Sequence, residues 1–135
     1  TKKMTIGLKL FFLVGFTLLF GSWLSRQEFM AIDMAVKRYG TVKFDPQKFK
    51  GGDTALRASM AVDLIRSKLP LGKTGDELRA WLGRGDAHFW NDNIPAYVLE
   101  EGWRTNKDTY ALVFIVDRDG KVVEAKIHKN CCTKP

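Results

Sequence analysis

The sequence predicts an α+β domain carried on an N-terminal transmembrane helix, with two helices followed by three antiparallel strands. Three observations lead there. Ile6 to Leu24 form an apolar run of 19 residues with Lys9 as the only charge. Two capped helical segments follow between Asp53 and Gly83. The last third of the chain is then rich in β-branched and aromatic residues broken by Asp-x-Asp-Gly.

As a helix at about 1.5 Å per residue, the apolar run reaches roughly 28 Å, enough to cross the hydrocarbon core of a bilayer. A cleavable signal peptide would have a shorter apolar stretch and small residues before the cut. A cut after Ser22 or Ser25 instead finds Phe20 or Trp23 at the −3 position. Trp23 and Arg26 suit one membrane interface, Lys2 and Lys3 the other. Residues 1–24 are therefore expected to be an uncleaved anchor in the inner (cytoplasmic) membrane. A short basic tail ahead of a first helix favours an N-terminus inside and a domain on the extracytoplasmic, periplasmic side. Thr17 and Gly21 place small groups four residues apart, the spacing that seats a neighbouring helix.

From Ser25 to Tyr39, Phe29, Ile32 and Val36 recur at helical spacing with Met30 and Met34 beside them, so the anchor is expected to continue as an amphipathic stalk. Gly40 ends it. Thr41 to Gly52 carry a proline, paired glycines and little periodicity, and read as a connector. The stalk and connector together span residues 25–52, the domain residues 53–130, and a tail residues 131–135.

Asp53 caps a helix running to Leu69, with Leu56, Met60 and Leu64 as its apolar face and Ala61 and Ile65 alongside, before Pro70 stops it. Thr74-Gly75-Asp76-Glu77 is a capping box for a second helix, whose buried stripe is Leu78, Trp81 and Leu82 and whose end is Gly83. Gly72-Lys73-Thr74 is no phosphate loop: Ser67 stands where the first glycine belongs, and a helix precedes it in place of a strand. Pro95 to Glu100, Thr109 to Asp117 and Lys121 to His128 read as strands. The second, apolar on both faces, is expected at the centre. Asp117-Arg118-Asp119-Gly120 turns between the last two and lacks the remaining ligands of a calcium loop.

Leu71-Gly72-Lys73-Thr74, Glu77-Leu78 and Leu82-Gly83, then Leu112, Phe114 and Asp119-Gly120-Lys121-Val122, resemble the small envelope lipoproteins called SmpA/OmlA or BamE-like. The resemblance runs from about Met60 to Lys129. It implies a two-helix, three-strand domain that binds other envelope proteins and does not catalyse. The chain departs from the family in two places. Gly83 is followed by Arg84-Gly85-Asp86 without the family's proline, and a transmembrane helix replaces the lipidated N-terminal cysteine. The fold and the habit of contacting envelope proteins carry over; a role in outer-membrane barrel assembly does not.

The net charge of +7 does not mark a nucleic-acid binder. Three of the 22 basic residues flank or enter the anchor, leaving 19 against 15 acidic ones, and no basic helix interleaved with aromatics appears. The densest basic stretch, Lys37, Arg38, Lys43, Lys48 and Lys50, would lie beside anionic headgroups or form a solvated linker.

Candidates for chemistry are few. His128, Cys131 and Cys132 supply three soft metal ligands, at a spacing that matches no usual zinc pattern and beside the C-terminus. His88 stands between Asp86 and Asp92 but has no adjacent nucleophile. His88, Phe89 and Trp90, with Trp103 in the next loop, are the better candidates: loop aromatics are either a lid over a core or a hot spot for a partner. No cofactor, small-molecule substrate or nucleic acid is expected. The expected partners are the lipid bilayer and an integral membrane protein, which the chain would serve as a non-catalytic accessory or assembly subunit. An inhibitor or immunity-type protein is the alternative, and a metal-handling envelope protein a weaker one.

Overall fold

From Glu28 to Gly52 the chain is bonded to the last strand and to the long helix that begins at Thr54. The computed structural model describes residues 28–131, so the predicted anchor, with Thr17 and Gly21, lies outside the described residues, as does Cys132. Among the described residues no helix is long and apolar enough to cross a membrane. They hold four helices, α1 (Ile32–Tyr39), α2 (Pro46–Gly51), α3 (Thr54–Ser67) and α4 (Gly75–Leu82). Three strands follow, β1 (Tyr97–Glu100), β2 (Asp108–Val116) and β3 (Val122–Cys131), with a 3₁₀ turn at Trp103–Thr105 between the first two. The sheet is antiparallel in the order β1-β2-β3, an α+β arrangement with the doubly apolar β2 at its centre.

The stalk and connector expected over residues 25–52 are, from Glu28 onward, part of the folded domain. Phe29 bridges His128, and the Met30 N–H donates to the Ile127 carbonyl at 2.9 Å, so this stretch is extended along the edge of β3. The helix α1 runs from Ile32, and Gly40, at φ 89°, ends it as expected. Ala35 of α1 is buried against the core. The end of α1 is tied to β1: Arg38 donates twice to Glu100, at 2.7 and 2.8 Å, and the Tyr39 hydroxyl donates to the same carboxylate at 2.8 Å. The Arg38 bond holds the Glu100 carboxyl below the usual carboxylate range.

Within the expected connector, Asp45 accepts from the Gln47 and Lys48 N–H groups and Pro46 opens α2, a capped start with proline in the first turn. Phe49 is 1% exposed, its ring 5.4 Å from Tyr97 and 5.9 Å from Phe44. The Val42 N–H donates to the Ser59 carbonyl and the Phe44 N–H to the Asp63 carboxylate, laying the segment along α3.

Asp53 caps α3 through the Leu56 N–H as expected. Its apolar face is differently placed. Leu56 is 38% exposed, while Val62, absent from the predicted stripe, is buried. A helix enclosed by α1 on one side and β1 on the other has no single buried stripe. The capping box of α4 is complete, with both Thr74–Glu77 bonds at 3.3 Å. Leu78 and Leu82 are buried, but Trp81 is half-buried at the rim, edge-on to Phe44 at 5.2 Å and under the Lys73 ammonium at 4.7 Å. Gly72 and Lys73, rejected as a phosphate loop, pair with Val122 instead: the Gly72 N–H donates to its carbonyl and its N–H donates to the Lys73 carbonyl.

The hairpin turn falls where expected, with Gly120 at φ 76° and the Asp117 carboxylate accepting from the Asp119 and Lys121 N–H groups. The main core lies between the helices and the inner face of the sheet, where Leu112, Phe114, Val122 and Ile127 meet Met60, Leu64, Leu78 and Leu82. The outer face carries a second, smaller cluster of Ala96, Ala111 and Val113 beneath Phe29, Ala87 and Phe89. That second cluster explains why β2 reads as apolar on both faces.

Candidate functional site

The site is built on the outer face of the sheet, where the register sets Ala111 beside both Val98 and His128, and Val113 beside Lys126. The small side chains of Ala96, just before β1, and of Ala111 and Val113 on β2 leave a shallow floor. The loop before β1 crosses it. The Asp86 and Ala87 N–H groups donate to the Ala96 carbonyl, and the Asp86 carboxylate accepts from the Val98 N–H at 2.8 Å while pairing with Arg57 at 2.8 Å. Asp86 therefore anchors the loop and does not flank His88 as expected.

Beyond this anchor Phe89 lies over the floor, 4.7 Å from the His128 ring and 6.2 Å from Phe29, and Phe29 stands 5.6 Å from His128. The Lys126 ammonium is 4.5 Å from the centre of the Phe29 ring, within cation–π range. Burial lowers the pKa of His128, against the opposing pull of Glu28 at 3.5 Å, so its neutral imidazole serves as a third ring. Cys131 pairs in the ladder with Asp108, and among the described residues no three His, Cys, Asp or Glu side chains form a group that would hold a metal.

Trp90 is 84% exposed, its ring 6.2 Å from that of Phe89. Its backbone is left-handed, at φ 60°, an uncommon conformation for a bulky residue. The turn around it enforces that conformation: the Asn91 N–H donates to the Phe89 carbonyl, and the Ile94 N–H to the Asn91 carbonyl. Arg79 of α4 donates to the Asp92 and Asn93 carbonyls. A Cβ on Gly75 would stand 2.1 Å from the Asn93 oxygen, so only glycine lets α4 approach the loop this closely. His88, exposed, pairs with Asp92 at 2.7 Å across the base of the turn.

The two roles open to loop aromatics thus divide between neighbours, with Phe89 as the lid and Trp90 projecting from it. Trp103 is separate: it opens the 3₁₀ turn at the other end of β1, with the Arg104 guanidinium 5.0 Å from its ring. Phe29 was not among the candidates, because its spacing to Ile32 and Val36 reads as a helical face. The alternating small residues of β1 and β2 were the signal for the floor.

Grooves open on both sides of Phe29. One, of about 420 Å³, is lined by Glu28, Phe29, Phe89, Trp90, Ile115 and Val116 among others. The other, of about 830 Å³, runs between Met30, Ile32 and Ile65 and the β3 residues Ala125 and Ile127.

Left-handed backbone costs a non-glycine residue about 1–2 kcal/mol, and glycine returns part of this through the freedom it gains in the unfolded chain. Trp90→Gly is therefore expected to stabilise the fold by up to about 1 kcal/mol, as read from the urea midpoint of the full chain in mild detergent. A loss of similar size would mean that the indole itself holds the loop.

No protein family, curated protein or solved structure matches this chain.

Proposed function

We propose that this chain is a single-pass membrane protein whose domain acts by contact, as a non-catalytic accessory or assembly subunit of a larger membrane complex. The observation that carries the reading is the open groove of about 830 Å³ between Met30, Ile32 and Ile65 and the β3 residues Ala125 and Ile127, beside the residues that lead to the apolar run. Uncovered apolar surface in a groove of this size suits a partner's side chains. The BamE-like motif residues support the same class of activity. The capping box and the hairpin turn, two of the signals behind that resemblance, lie on α4 and between β2 and β3. The basic N-terminal flank favours a domain on the extracytoplasmic side.

In this reading the anchor makes the first contact with the partner, through Thr17 and Gly21, and the outer face of the sheet lies close to it. Exchanging Ile6 to Leu24 for an unrelated transmembrane helix is expected to leave the domain folded and membrane-bound. Recovery of the membrane partner in a mild-detergent pull-down should fall about tenfold, which about 1.4 kcal/mol of lost helix packing produces. Undiminished recovery would remove the anchor from the interface. Absence of any membrane partner for the parent chain, with a soluble protein bound only when supplied, would favour the inhibitor reading.

A further inference from the structure

We propose that Trp90 docks the domain onto the bilayer itself, inserting at headgroup level beside the point where the chain enters the membrane. The inference rests on the anchor reading above and adds to it the surface that faces the lipid. Its basis is the length of chain available. Only residues 25–27 separate Leu24 from Glu28. The four Cα–Cα steps involved reach at most about 14 Å, whatever their conformation. A domain of about 100 residues has a radius of gyration of about 13 Å and is roughly 30 Å across. The tether is thus shorter than the domain it holds, and the domain cannot turn its exit face away from the membrane.

That exit face is fixed, because Phe29 and Met30 are bonded to β3 one residue after the tether ends. The Trp90 ring stands two ring-to-ring steps of 6.2 Å from Phe29. An indole so placed, and 84% exposed, lies within reach of the interfacial zone that tryptophan favours, where its apolar body and polar N–H are both accommodated. Glu28, Asp92 and Glu124 share the patch with Lys126 and His88. With no excess of positive charge, the patch has no claim on anionic lipid. Docking is led by the indole and is independent of headgroup charge.

The test uses the full chain reconstituted in phosphatidylcholine vesicles with acyl chains brominated near the headgroup. Trp23→Phe forms the background, leaving Trp81, Trp90 and Trp103 as fluorophores. Shallow bromine is expected to remove the share of emission that Trp90 supplies, to do so equally at low and high salt, and to remove none of it once Trp90→Phe is added. Trp90 unquenched, while Trp23 in the Trp90→Phe chain is quenched by shallow bromine, overturns the docking and leaves the anchor standing. Trp23 also unquenched overturns both. Quenching that needs anionic lipid and disappears with salt overturns docking led by the indole. Protection of Trp90 that arises only when a protein partner or a second copy shares the vesicle assigns the residue to a protein contact instead.

Discussion

A chain that begins at Asp53 is expected to remain unfolded, whereas one that begins at Ser25 should unfold cooperatively in urea. The shorter chain holds both sequence-predicted helices and all three strands. It lacks Ala35 and Phe49 from the buried core and Met30, Val36, Tyr39 and Phe44 from its margin. It also lacks the backbone bonds from Met30 to Ile127 and from Val42 to Ser59. Removing a single large core side chain costs about 2–5 kcal/mol, and a whole domain is stable by only about 5–15 kcal/mol. Losing two elements at once exceeds that margin. Far-UV circular dichroism with a urea titration reads the outcome, and a sharp transition in the Asp53 chain would show that the core closes without its N-terminal quarter.

Phe49→Ala is expected to destabilise the full chain by about 3–5 kcal/mol, the range for truncating a buried phenylalanine. The ring is enclosed by Phe44 and Tyr97, and the Tyr97 hydroxyl is fixed by donating to the Gly83 carbonyl at 2.6 Å, so the cavity has rigid walls. Lys48→Ala, a change on the exposed side of the same helix, should move stability by less than about 0.5 kcal/mol. Equal effects from the two would return this segment to the status of a connector.

Residues 28–52 were hard to read for reasons that differ along their length. At Phe29, two patterns overlap. Its spacing to Ile32 and Val36 is helical, yet its backbone partner is His128, about a hundred residues away, and a contact at that separation leaves no local periodicity. At α2 the start signal was present in Asp45-Pro46, but a helix of six residues with one buried side chain has no repeat to recognise. The capped helix starts and the β2–β3 turn were legible because each is settled within four residues. Thr74 and Glu77 satisfy one another, and Asp117 holds the two amides that follow it in the turn. The candidate site was legible as a string of aromatics from His88 to Trp90. Which ring is covered and which projects depends on the sign of one backbone angle, at Trp90, and that angle is set by hydrogen bonds of the folded loop. Trp81 has the spacing of the buried stripe yet is only half-buried, and the ring that packs against it, Phe44, comes from the unrecognised segment.

The margins of the sheet bear on how copies of this protein behave when crowded. Crowding raises the frequency with which like surfaces collide, much as linkage raises effective concentration. An uncovered strand would then recruit its neighbours into a growing ribbon, the usual hazard of an exposed edge. Here the edge of β1 is met by Asp86 and Ala87, which bond Val98 and the Ala96 just before the strand, and β3 by Phe29 at one end and by Gly72 and Lys73 at the other. Three short stitches, none of them a full strand, interrupt the ladder that a neighbour would have to extend. Lateral encounters between copies are left to side chains, and the protein can be crowded without polymerising through its backbone.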